Sequence, residues 1–390
     1  MKYLYTLFIL LSMTSIFFSP ADKHELNELS FTFAIGLDYI KDGYEVSVQL
    51  INPAAISGNA PTQNSRYIVY KASGKTIDTA LERVSVNISR FVLLSQVDVV
   101  ILSEKLAREE KIQEVADYIL NSPQIPSNAY IVIARGINAG ELLKVYSPVE
   151  GTSAFEITNI IKKIGRDIPK TSSQIKVDEI KEGKDIALPF IEIIGDLKKG
   201  QENGNFETTS PSHIAYGGLS LFKNNKLTTF IDYRDGAYLS LLQESAAGFT
   251  IEPSCPNREN GYFAYRVFSN NANESNIEIH EDKYIFHFDL RLKGDINQYH
   301  CNLNLDEPKD VEKLEEKVRE TINTKVQELL KVSQDNELDP IGLGLMLSED
   351  NPKEWKKIKE EWPSLLNNAE IKLNTEISFQ HLGNFKSGSD

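Results

Sequence analysis

Six histidines, two cysteines and a surplus of carboxylates are the residues of this chain whose types could do chemistry. The histidines are His24, His213, His280, His287, His300 and His381. His280 and His287 flank Glu281-Asp282 on two adjacent predicted strands. Two imidazoles and a carboxylate are a metal-ligand set in kind, but polar residues on the solvent face of a sheet give the same pattern, and no metal site is assigned. His300 adjoins Cys301, yet neighbours on a strand point to opposite faces, so a thiol-imidazole pair is not expected. Cys255 and Cys301 stand with forty-five residues between them. Outside the cytoplasm they would either bridge, closing a loop worth roughly 4 kcal/mol of chain entropy, or stand as two unpaired thiols.

Catalytic constellations are not in evidence. The chain contains no G-x-S-x-G, H-E-x-x-H or P-loop, and Gly342 and Gly344 form a G-x-G without the preceding strand a dinucleotide fold needs. The charged runs Asp310 to Glu320 and Lys353 to Glu361 mix signs at helical spacing and read as solvated faces. No catalytic residue, cofactor or metal ligand is assigned. A net charge of −14, or −15 without Lys2, leaves nothing to neutralise phosphates and argues against a nucleic-acid partner.

The elements that would position any site read as two kinds of region. Phe31 to Asp38 and Tyr44 to Asn52 alternate as strands about a turn at Lys41-Asp42-Gly43. Tyr67 to Tyr70 follows, and then a helix with Ile77, Ala80, Leu81, Val84 and Ile88 on one stripe. Val97 to Leu102 is a nearly continuous apolar run, broken only by Asp98, and Tyr130 to Ala134 is apolar throughout, as central strands covered on both faces are. Ser103 caps a helical stretch to Asn121, Ala139 to Tyr146 is a short helix, and Gly151 to Lys184 is helical before a strand at Ala187 to Ile194. This is a mixed α/β region.

The segment 198–211 is polar and rich in Gly, Asn, Ser and Thr, the best linker in the chain. Beyond it come a hairpin, Ile214 to Phe222 and Leu227 to Ile231, around Asn224-Asn225, and a helix from Asp235 to Gln243. Phe263 to Phe268, Ser275 to His280, Lys283 to Leu292 and Gln298 to Leu303 read as an antiparallel sheet. A long helix opens at Pro308 and runs to about Gln334, with Glu307, Asp310 and Glu312 at its positive end. Glu370 to Leu382 closes the chain as a strand. Trp355 and Trp362 are seven apart and would share one helical face under it. The expected fold is α/β followed by α+β, with regions 22–197 (151–197 a candidate middle domain) and 212–384.

Residues 1–21 form a signal peptide or an N-terminal anchor. One positive charge at Lys2 precedes the apolar run Tyr3 to Phe18 and the small-residue exit Ser19-Pro20-Ala21. The run is short for a membrane span. The body of the chain is therefore expected outside the cytoplasm.

Two sets of residues carry a resemblance. Asp22-Lys23-His24-Glu25-Leu26-Asn27-Glu28-Leu29 precedes Ala34, Gly36, Asp38, Val48-Gln49 and Asn52-Pro53. Asp339-Pro340-Ile341-Gly342-Leu343-Gly344 precedes Trp355, Trp362 and a final strand ending near Gly383. Ser103 to Ala107 and Gly217 to Phe222 fall in order between them. Together they resemble the spore germination lipoproteins, the C subunits of nutrient germinant receptors of endospore-forming bacteria. The resemblance implies a non-enzymatic subunit of several α/β domains. It would act at the spore inner membrane beside two integral membrane subunits, of A and B type, in response to small nutrients. Asp22, Glu25 and Asn27 are then candidate partner contacts.

The family pattern places a lipid-modified cysteine and a tryptophan where this chain has Pro20 and Ala21. No thiol is available there for a lipid. Cleavage after Ala21 would release a soluble subunit; retention of the apolar run, the favoured outcome, would leave an anchor. The alternative function is an extracytoplasmic solute-binding protein serving a transporter-like partner, which would need a cleft between two similar lobes.

Overall fold

A computed structural model of the chain describes residues 28–51, 66–109, 111–163, 170–202, 211–243, 248–280 and 283–381. The residues expected at the membrane exit, Pro20, Asp22, Glu25 and Asn27, lie outside them.

The first sheet is built from β1 (Leu29–Ile40), β2 (Gly43–Ile51), β3 (Tyr67–Gly74), β4 (Phe91–Leu93), β5 (Val99–Ser103), β6 (Tyr130–Ala134), β7 (Lys170–Thr171), β8 (Ala187–Gly195), β9 (Ser212–Lys223) and β10 (Lys226–Asp232). Its order is β10-β9-β8-β6-β5-β1-β2-β3, with β4 on β1 and β7 on β6. β1, β5, β6 and β8 are mutually parallel, and both flanks are antiparallel. The apolar runs at β5 and β6 are its buried centre. Along them side chains alternate between two cores, Val100 and Leu102 on one face and Val99 and Ile101 on the other.

Helices cover both faces. On the first lie α1 (Ile77–Val86), α2 (Glu104–Arg108) and α3 (Ile112–Asn121), packed through Ile77, Leu81, Val84, Leu106, Val115 and Ile119. On the other lie α4 (Ala139–Leu142) and α5 (Ser153–Lys163), packed through Leu142, Ala154, Ile157 and Ile161. Ser103 accepts from the Leu106 N–H as the cap expected of it. The helical stretch after Ser103 is two helices rather than one, and the helix at Ala139 is only four residues long. α6 (Ser172–Ile180) carries a capping box between Thr171 and Gln174.

The expected linker does not divide the sheets. After α7 (Leu197–Gly200) the chain returns as β9 directly against β8, so the first sheet continues beyond the segment 198–211 to Asp232. The β9–β10 turn uses Asn224 (φ 49°) and Asn225 (φ 66°), the left-handed pair a tight hairpin needs. β9 then faces two cores: Phe222 packs in the first, while Leu219 and Leu221 pack in the second.

That second core lies under α8 (Tyr233–Leu242) and a sheet of β11 (Thr250–Ile251), β12 (Phe263–His280), β13 (Lys283–Tyr299) and β14 (Ala369–Phe379). The four strands expected between Phe263 and Leu303 are two long ones. Shifts of register at Ala264/Tyr265, Val267/Ser269 and Glu274/Asn276 absorb the irregular pattern. β14 joins β13 in parallel. α9 (Pro308–Asp335) lies over this sheet with Leu314, Val318, Ile322, Val326, Leu329 and Leu330 buried. Cys255 and Cys301 are bridged, Cα to Cα 5.4 Å, which ties the approach to β12 to the exit of β13.

α10 (Leu343–Asp350), α11 (Pro352–Ile358) and α12 (Trp362–Leu365) complete the fold. Trp355 and Trp362 are not on one helix. Pro363 starts a new one, and the two indoles meet edge to face at 5.7 Å. Trp362 packs on Tyr284 and Phe286 of β13, at 5.5 and 6.3 Å between ring centroids.

Candidate functional site

Several of the described residues that carried the resemblance gather at two buried carboxylates. The larger cluster forms around Asp339, just beyond α9. Gly342 adopts φ 89°, which folds the chain back so that three successive N–H groups point at the Asp339 side chain. Oδ1 accepts from Gly342 N at 2.7 Å and Leu343 N at 3.0 Å; Oδ2 accepts from Gly344 N at 2.7 Å and from the Trp362 indole at 3.0 Å. The carboxyl is 3% exposed. Burial raises its pKa, and the four donors pull against that rise.

This cluster is also where the two sheets are joined. The loop leading into β8 docks on it: Leu345 N donates to Gly183 O at 2.8 Å, and Asp185 N to Asp339 O at 2.9 Å. Asp339 N in turn donates to Asp185 Oδ2 at 2.6 Å. Glu182 accepts from the Trp355 indole at 3.2 Å and from Lys359 at 2.8 Å. Gly344 has no room for a side chain, since a Cβ would stand 2.6 Å from Trp362 Nε1 and 2.9 Å from Gly183 O. Burial above all pushes Asp185 up to about 6; the Asp339 N–H opposes the rise and the Asp339 charge adds to it.

Asp38, in β1, forms the smaller cluster. Its oxygens accept from Ala139 N at 2.9 Å and Gly140 N at 3.0 Å, holding the start of α4. Burial raises its pKa, against the N–H groups of Gly140 and Ala139 and the Ser103 hydroxyl. Beside it Gln49 donates to Leu143 O at 2.7 Å and Ser153 Oγ at 2.8 Å, and accepts from Ala154 N at 3.2 Å. One amide thus ties β2 to both α4 and α5.

These carboxylates hold backbone. Asp339 has each oxygen engaged twice. Two cavities lie elsewhere. One of about 690 Å³ is bounded by Asp232, Arg234, Tyr238, Glu252 and Lys325, the other, about 450 Å³, by Ser103, Lys105, Arg108 and Asn138. Among the described residues no group of three or more His, Cys, Asp or Glu is placed to hold a metal. His280 and His287 do share a carboxylate, but it is Glu278, at 3.6 and 3.1 Å. Glu281 and Asp282 lie outside the described residues. No helix among the described residues is long and apolar enough to cross a membrane. Sequence reasoning named Asp38, Gln49 and Asp339 without a role and missed Glu182, Gly183 and Asp185. The only local signal for that loop was Gly183, a turn residue before a strand.

Two unlike sheets, joined through the buried clamp at Asp339 and with a second clamp at Asp38 inside the first, make a mixed α/β, multi-domain scaffold. Residues 22–193 match the spore germination protein N-terminal domain, and residues 217–383 match the spore germination B3/GerAC-like C-terminal domain. The chain belongs to this family of germinant-receptor C subunits and has its part in spore germination. Spore germination protein KC of Bacillus subtilis (strain 168) is 24% identical over 379 residues, 91% of this chain and 90% of that protein. Spore germination protein GerQC of Bacillus cereus is 23% identical over 318 residues, 81% of this chain and 82% of its own. The crystal structure of the GerBC protein has the same fold, with a TM-score of 0.59 at 18% identity, covering 89% of this chain and 97% of that one.

Proposed function

We propose that this chain is a non-catalytic C subunit of a nutrient germinant receptor, acting through protein contacts with two integral membrane subunits at the spore inner membrane. The observation that carries this reading is the use made of its motif residues. Asp38 and Gln49 hold backbone within the first sheet's layers, and Asp339, with Gly344 and Trp362, holds the joint between the sheets, as a scaffold for partners requires. Its two sheets differ in order and strand direction, which speaks against the paired lobes of a solute-binding protein. Pro20 stands where the family places its lipidated cysteine, so attachment rests on the apolar run or on the partners.

Deleting the gene should abolish or slow germination in response to at least one small nutrient while leaving nutrient-independent germination intact. Unchanged germination under every nutrient tested would overturn the reading. Fractionated spores should hold the chain with the inner membrane, and recovery from the soluble pool alone would contradict the proposed location.

A further inference from the structure

Because β1, β5, β6 and β8 are parallel, one end of the first sheet gathers their starting residues. Register fixes what else lies there. Leu29 pairs with Phe91, Thr32 with Leu50, and Leu50 with Ile68. α1 runs back along β3 and delivers Val86 to the same end. Three large apolar side chains are thereby collected and open to solvent: Val86 is 78% exposed, Phe91 55% and Ile68 53%. Scattered apolar residues on a surface are ordinary, but a group at one end is not.

Charge sets the same end apart. The segments 85–97 and 121–129, which lead into the sheet there, hold one charged residue, Arg90, in twenty-two. At the chain's 25% charged content five or six would be expected, and in a chain of net charge −14 most would be acids. Among the described residues, Glu28, Arg66 and Asp98 stand with Arg90 at the corner made by β1, β3 and β5, while Lys170 beside β6 and Lys223 and Lys226 at the β9–β10 turn lie farther along the same end. The opposite end carries Lys41, Asp42, Glu104, Lys105, Arg108 and Glu109. The chain also enters the fold at this end. Only nine residues, 19–27, separate Phe18 of the apolar run from Glu28, a reach of at most about 30 Å.

We propose that this end of the first sheet rests on a lipid bilayer, with Val86, Phe91 and Ile68 set into the headgroup layer and Arg66 and Arg90 facing anionic headgroups. The inference rests on the reading above that the chain works at a membrane.

The test uses the full chain in vesicles of phosphatidylcholine and phosphatidylglycerol, carrying a fluorophore on Val86→Cys, Ile68→Cys or, at the opposite end, Asp42→Cys. The native cysteines are bridged and do not react, and far-UV circular dichroism checks the fold of each labelled chain. A nitroxide quencher carried on lipid should quench the Val86 and Ile68 probes at least threefold more than the Asp42 probe, and aqueous iodide should reverse the order. A chain that floats with the vesicles but whose three probes quench alike would overturn the proposed face and leave membrane association standing. A chain that does not float would overturn both. A Val86 probe shielded only when spore membrane proteins are added would assign the face to a protein partner, which also overturns the proposal.

Discussion

The clamps at Asp38 and Asp339 use the same device on different scales. Each sets a buried carboxylate against the N–H groups of a helix start, distant in sequence for Asp38 and immediately following for Asp339, where the unpaired donors favour negative charge. Asp38 collects two N–H groups from α4, inside one sheet and its own helices. Asp339 collects three, adds an indole, and is itself held through its backbone by Asp185 from the other half of the molecule. The first clamp is local and the second is a joint. Damage to each should therefore differ in reach as well as in size.

The largest effect is expected at Asp339. Asp339→Ala leaves three backbone donors and the Trp362 indole buried without an acceptor, costing about 3–5 kcal/mol, and differential scanning calorimetry, expected to show one transition for the native chain, should show two for this variant. Asp38→Ala orphans two backbone donors and should cost about 1–3 kcal/mol, lowering the urea midpoint without splitting it. If both variants split the transition, or neither does, the distinction between joint and local clamp fails.

Asp185 gives a smaller effect with a definite sign. Its folded pKa lies at about 6, above the ordinary 3.8. Its contribution to stability is therefore full below about pH 4 and is lost as pH rises through about 6, since the folded state keeps a proton that the unfolded chain releases. Asp185→Asn keeps an oxygen for the Asp339 N–H and removes the charge. It should stabilise the chain above pH 6 by about 1–3 kcal/mol, with no gain at pH 4. Urea melts at the two pH values check this, and an equal change at both would refute it.

Much of the frame was legible in the sequence because short-range pattern determines it. The continuous apolar runs at Val99–Ser103 and Tyr130–Ala134 could only be central strands, and Asn224-Asn225 could serve the left-handed turn they occupy. The pattern misled where tertiary context overrides it. Ser269 to Glu274 looks like a loop, yet β12 runs through it, paired to β13 along its length. Pro363 was visible and should have separated Trp355 from Trp362. The joint itself was not legible, because Asp185 and Asp339 are brought together by the packing of two sheets and no spacing along the chain encodes it.

Trp355 and Trp362 are the only tryptophans in the chain, and both belong to this joint, so their emission reports on the joint and on the packing of Trp362 against β13. Urea unfolding of the full chain, followed at once by tryptophan emission and far-UV circular dichroism, tests the joint most directly. In Asp339→Ala the emission change should come at lower urea than the main loss of secondary structure, whereas in the native chain and in Asp38→Ala the two should coincide. Coincident curves in Asp339→Ala would contradict the claim that Asp339 joins two regions able to part.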